Sequence, residues 1–427
     1  MSWLLTNPGR ASATKLRLLA AFGLAISLAQ GPAAQAAPRV TAAAKTEASV
    51  WAAAWEASPE PQRAPFIALT NQTVRHIARV GLGGLYVRIQ LSNEFGDKPL
   101  TIGEAHIALA ADSGAAIVPD TDRAATFGGK PGITIPVGAR VLSDPISLKL
   151  SAMSTVAISV YYPQVTSALT QHSFSNQTVY MASGDSTAAA NLPGAATMTS
   201  QLILTGIQVS VPAKTQVVVT LGDSITGGFG STSGANHSWP DRLAERLMDR
   251  KSGPPIGVVN AAIGGNRLLH DVIGPNALSR FDRDVLSQPS VGYLIVLLGI
   301  NDFGFPGGRN LPAEEVTYQD VIAGYQQLIE RAHSYGIKVF IATLPPFGPI
   351  PERPGYYSEA SEAKRVAVNQ WIRGAKGFEG VIDFETALHD PKAANRMLPA
   401  YDSGDHLNPN DAGYKAMADA VPMRLFE

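Results

Sequence analysis

Ser224 follows a run of apolar and β-branched residues, Val217-Val218-Val219-Thr220-Leu221, and the pair Gly222-Asp223. A serine on a tight turn at the end of a strand is exposed, with free backbone N–H groups beside it. Such a place suits a nucleophile for acyl transfer, because a developing oxyanion meets donors that are already oriented. The tripeptide alone is a weak signal, since Asp and Ser after a strand are ordinary helix caps. It is also not the Gly-x-Ser-x-Gly elbow of α/β-hydrolases. Three further stretches share its setting: Asn260-Ala261-Ala262-Ile263-Gly264-Gly265-Asn266, Leu298-Gly299-Ile300-Asn301-Asp302, and Asp402-Ser403-Gly404-Asp405-His406-Leu407-Asn408-Pro409-Asn410. Each is bland in isolation, because Gly and Asn end strands everywhere.

The elements that must position these stretches alternate. After residue 213, short apolar runs read as buried parallel strands: 217–221, 258–260, 293–298, 339–344 and 381–382. Helical stretches fall at 315–335, 360–373 and 412–425, the first stopped by Gly336. Strand–helix alternation predicts a three-layer α/β/α domain over 212–427 with a mostly parallel sheet. Reactive sites in such sheets lie beyond the carboxyl ends of the strands, where all four stretches fall. Residues 50–211 read differently. Leu85, Val87, Ile89 and Leu91 share one face of a strand, as do Val156, Ile158, Val160 and Tyr162. This period of two, punctuated by turns, predicts an antiparallel, jelly-roll-like β-sandwich. Residues 184–200 are small and polar and read as a long surface loop.

Taken together and in this order, the four stretches resemble the blocks of the SGNH (GDSL-type) hydrolase family over about residues 215–425. The resemblance implies a serine esterase. Ser224 matches the family's nucleophile. Its N–H, the N–H of Gly265 and the side-chain amide of Asn301 match the three oxyanion donors. The last block departs from the family's Asp-x-x-His-Pro pattern: Asp405 takes the Asp position, but Asn408 stands where the His belongs, and a carboxamide is no base. His406, two residues earlier, is the expected substitute, oriented by Asp405 or Asp402. Local span favours Asp402 and the family alignment favours Asp405. His237, just after the nucleophile turn, is read as structural.

A sandwich before such a domain resembles secreted esterases that remove acyl groups from plant polysaccharides. Trp51, Trp55 and Tyr86 are candidate sugar contacts, with core packing the stronger reading for all three. The expected reaction is hydrolysis of acetyl or short-chain acyl esters, on a small molecule or a polysaccharide, through an acyl-enzyme. Aryl or lipid esters of broad range are the alternative substrates. A catalytically impaired carbohydrate-binding protein is the alternative class.

Composition narrows the field. The chain has 427 residues, 34 Lys and Arg against 35 Asp and Glu, and no cysteine. Balanced charge argues against a nucleic-acid partner. Lack of cysteine excludes disulfides, a thiol nucleophile and Cys-ligated metal. No His/Asp/Glu group has metal-ligand spacing and no phosphate loop is present, so no cofactor is implied. Residues 1–36 read as a signal peptide: Arg10, Lys15 and Arg17 precede the apolar run Leu18 to Ala29 and the site Ala34-Gln35-Ala36. That run is too short for a bilayer, which takes about 20 residues. A secreted or periplasmic protein without a membrane anchor after cleavage is expected.

Overall fold

The computed structural model describes residues 48–64, 66–111 and 114–427, all within one compact unit. The signal peptide expected over 1–36 lies outside the described residues. No helix among the described residues is long and apolar enough to cross a membrane.

The carboxyl-terminal part is organised by a five-stranded parallel sheet. Its order is Ile256–Ala262, Gln216–Gly222, Val291–Leu297, Lys338–Ala342 and Gly380–Ile382. All five strands were legible as apolar runs, because parallel strands are buried on both faces. The helices Tyr318–His333 and Glu359–Gly374 also fall where expected, each opened by a capping box, from Thr317 and Ser358. The last helix is shorter than expected. It runs Asp411–Ala420 and stops before Pro422, whose ring disfavours helical backbone at Val421. Two of the longer helices are not expected from the sequence, Trp239–Met248 and Ile300–Gly308. The second holds three glycines and a proline, which hide it from a propensity reading.

The amino-terminal part is antiparallel throughout. One sheet has the order Ser49–Glu56, Leu204–Pro212, Gly84–Ser92, Ile146–Leu150, with Arg140–Leu142 also paired to the third strand. A six-stranded sheet is centred on Gln72–Arg79 and Thr155–Tyr162. Val156, Ile158, Val160 and Tyr162 are fully buried on one face, and so are Val87, Ile89 and Leu91. Leu85, expected to join them, is 62% exposed. Pairing opposite it is irregular between Ser147 and Leu150, and this breaks the alternation at that end. Residues 184–200 are not a free loop. Ala196–Met198 pairs with Val179–Ser183, and the buried Arg75 guanidinium takes the carbonyls of Ala115, Thr187 and Ala189.

Both parts share one hydrophobic core. Only Ala213, Lys214 and Thr215 separate the strand Leu204–Pro212 from Gln216–Gly222. Gly257 lacks the Cβ that would come within 2.5 Å of Leu82, so the Leu82 side chain packs directly on the parallel sheet. The buried Arg280 ties both parts to the site. It donates to Gly222 O (3.2 Å), Ala261 O (2.7 Å), Asn266 Oδ1 (3.0 Å), Ser58 Oγ (3.2 Å) and Asp284 Oδ2 (2.8 Å). Replacing it by Met leaves Asp284 with Arg283 alone and removes donors from Ala261 O and Asn266 Oδ1. Arg280→Met should therefore cost about 2–3 kcal/mol in urea unfolding. A loss below about 1 kcal/mol would show that the clamp does not hold the strand ends.

Candidate active site

The strand Gln216–Gly222 delivers Asp223 and Ser224 at its carboxyl end. Asp223 caps the one-turn helix Ser224–Gly227, its carboxylate accepting the Ile225 N–H at 3.0 Å. Gly228, left-handed at φ 85°, closes the turn. Gly222 is required by close approach, because a Cβ there would come within 2.1 Å of Thr226 Oγ1. Ser224 itself is half-buried. Its N–H has no acceptor among the described residues, and neither has that of Gly265, which sits at φ 73° against Ile273.

Asn301 joins these pieces. It lies at the start of the helix Ile300–Gly308 and is 2% exposed. Its Nδ2 donates to Asn266 O at 3.0 Å and to Asp223 Oδ2 at 3.3 Å. Its Oδ1 accepts the Tyr356 hydroxyl at 2.8 Å. The amide thus bridges the residue before Ser224 and the residue after Gly265. Asp302 ties the same helix to the second block, accepting the N–H groups of Leu268 (2.7 Å) and Leu269 (3.0 Å). Burial dominates the titration of both carboxyls, pushing Asp223 up to about 7 and Asp302 up to about 6.

The last block separates its two aspartates. His406 Nδ1 pairs with Asp402 Oδ2 at 2.7 Å, and Asp402 Oδ1 accepts the His406 N–H at 3.1 Å. Asp405 does not orient His406. Its Oδ1 accepts the N–H groups of Leu407 (3.0 Å) and Asn408 (2.7 Å), and its Oδ2 accepts Asn408 Nδ2 at 2.7 Å. Asn408 is 1% exposed and its Oδ1 has no partner among the described residues. The hydrogen bond expected between His406 and Ser224 is not formed among the described residues. The physical reason is local: His406 is left-handed at φ 60°, its Nδ1 is held by Asp402, and the ring is 47% exposed. It borders a groove lined by Gly348, Pro349, Arg396 and Met397.

His237 makes a second pair, Nδ1 to Asp411 Oδ2 at 2.7 Å, and Asp411 also accepts the Thr232 N–H and hydroxyl. The candidate sugar contacts do not form an open face. Arg88 covers the Trp51 ring at 4.1 Å, Trp55 packs on the core, and Tyr86 alone is exposed. Three residues of the site had been given no role: Asn266, quoted only as part of its block, Arg280 and Tyr356. Among the described residues no cluster of three or more His, Asp or Glu is placed to hold a metal.

Residues 220–416 match the model of the GDSL-like lipase/acylhydrolase family. This part of the chain is a GDSL-like acylhydrolase domain. The protein is accordingly an ester-hydrolysing enzyme. Solved structures similar to it include an M. smegmatis aryl esterase (16% identity, TM-score 0.39, 49% of this chain and 98% of that one). A GDSL-like lipase from Bacteroides thetaiotaomicron VPI-5482 is also similar (18%, 0.37, 49% and 88%), as is an acetyl xylan esterase (20%, 0.37, 48% and 97%). No curated protein matches the chain.

The acylhydrolase should carry a pH signature from Asp223. A buried carboxyl with a raised pKa binds its proton more tightly folded than unfolded, so its contribution to stability is largest below about pH 4 and is lost as pH rises to about 7. Relative to Asp223→Asn, wild type should lose up to about 4 kcal/mol across that window in urea unfolding. A stability difference that does not change with pH would show that Asp223 is ionised throughout.

Proposed function

We propose that this acylhydrolase is an exported serine esterase that cleaves acetyl and other short-chain acyl esters through an acyl-enzyme on Ser224. The catalytic domain is read as three-layered α/β/α and the antiparallel part as a jelly-roll-like sandwich before it. The observation that carries the reading is the Asn301 amide, which bridges Asp223 and Asn266 and so gathers three blocks around Ser224. In the first step Ser224 Oγ attacks the ester carbonyl and its proton passes to a base. The carbonyl oxygen becomes an oxyanion between the free N–H groups of Ser224 and Gly265 and the Asn301 amide, which gives up its long bond to Asp223 Oδ2 (3.3 Å) and keeps the one to Asn266 O. Collapse expels the alcohol, which takes the proton, and water repeats the sequence to release the acid.

For the base we propose His406 with Asp402. Asp402 takes the Nδ1 side of the ring and so leaves Nε2 as the side available to accept a proton. Hydrogen bonds of unliganded sites are often long and tighten only around the substrate. The His237–Asp411 pair is the second reading, favoured by an equally short contact of 2.7 Å.

Ser224→Ala should lower kcat by several orders of magnitude and abolish labelling by a fluorophosphonate probe. A variant keeping more than about a tenth of wild-type kcat would remove Ser224 from the reaction. His406→Ala should match that loss, Asp402→Ala should be intermediate, and Asn408→Ala and His237→Ala should be mild. An active His406→Ala with an inactive His237→Ala would transfer the base to His237. Across p-nitrophenyl esters kcat/KM should be highest for acetyl, and a steady rise toward octanoyl would refute the short-chain preference.

A further inference from the structure

Tyr356 belongs to none of the four blocks. It lies in the segment between the strand Lys338–Ala342 and the helix Glu359–Gly374, yet it reaches into the site. The residue is 2% exposed, and its hydroxyl donates to Asn301 Oδ1 at 2.8 Å. The helix that carries Asn301 is shaped to receive its ring. A Cβ on Gly304 would fall 2.4 Å from that ring, and one on Gly308 would fall 3.0 Å from Tyr356 Cβ. Phe305 and Phe347 pack edge-on against the ring at 6.0 and 5.7 Å. Packing alone would be served by phenylalanine; the hydroxyl has one partner, the Asn301 carboxamide.

We propose that Tyr356 is a positioning residue for ester hydrolysis, holding the Asn301 carboxamide so that its N–H end stays turned toward the oxyanion site. A carboxamide has two ends of almost equal size, and only its hydrogen bonds decide which one faces the substrate. Tyr356 fixes the carbonyl end from one side, while Asn266 O and Asp223 receive the amine end from the other. Donation to Oδ1 also polarises the amide and strengthens Nδ2–H as a donor. Burial keeps the phenol protonated, so the bond persists at every pH at which the enzyme folds. The inference rests on the reading of Asn301 as an oxyanion donor.

The test is a double-mutant cycle of Tyr356→Phe and Asn301→Ala, with kcat, KM and Tm measured for all four proteins. Phenylalanine keeps the ring and its packing, so Tm should stay within about 2 °C of wild type. Asn301→Ala should lower kcat by about 10²–10³-fold. Tyr356→Phe should lower kcat by about tenfold, leave KM within about twofold, and add nothing further in the Asn301→Ala background. Wild-type kcat in Tyr356→Phe, or an equal loss in both backgrounds, would overturn the inference while leaving Asn301 in its role. Undiminished kcat in Asn301→Ala is a different result, which would overturn the oxyanion reading and this inference together.

Discussion

A single buried cation, Arg280, holds the strand ends on which the site is built. Its guanidinium takes carbonyls at the ends of two neighbouring strands, Gly222 O, two residues before Ser224, and Ala261 O, three residues before the Gly264-Gly265 turn. Gly222 O also accepts the Ile263 N–H at 3.1 Å, so the guanidinium adds a second donor there and fixes where the two strand ends lie. Asp284 and Asn266 Oδ1 complete the shell, and Ser58 brings in the amino-terminal part. A buried arginine is stable only when its donors are satisfied in this way, since desolvation works against the charge. The turn that carries Ser224 is thus held at the strand end before it.

Above that clamp the site is a relay of carboxamides rather than of charges. Asn266 passes the constraint from Arg280 to Asn301, and Asn301 passes it to Asp223 and Tyr356. Neutral amides avoid the desolvation cost of buried ions and still provide directed donors. The Asp405–Asn408 pair follows the same pattern, with a buried carboxamide donating at 2.7 Å to a half-buried loop carboxylate. His406 stands outside the relay, paired with Asp402 on the exposed side of the same loop.

Much of this was legible in the residues. Parallel strands announce themselves as unbroken apolar runs, and the Gly-Asp-Ser, Gly-Gly-Asn and Gly-Ile-Asn-Asp turns end three of them. The Asp402–His406 contact follows from a spacing of four that a turn can close. Other features were not legible, because their cause is distant in sequence. Tyr356 meets Asn301 across 55 positions and carries no motif. The helix Ile300–Gly308 looks like a loop until the ring that its glycines accommodate is known. Leu85 departs from its alternation because of an irregularity in the strand opposite, which no property of its own strand reveals.

The order of the four blocks along the chain has a bearing on synthesis. The strand that delivers Ser224 is made early in the domain, whereas the loop with Asp402, Asp405 and His406 and the helix Asp411–Ala420 that follows are made on the order of ten seconds later at ordinary elongation rates. Tyr414 then closes the turn by donating its hydroxyl to Phe229 O at 2.6 Å. Asp411 adds two more bonds to the same segment, accepting the Thr232 N–H at 2.8 Å and the Thr232 hydroxyl at 2.7 Å. The segment that follows Ser224 thus reaches its full set of hydrogen bonds only when the helix Asp411–Ala420 docks.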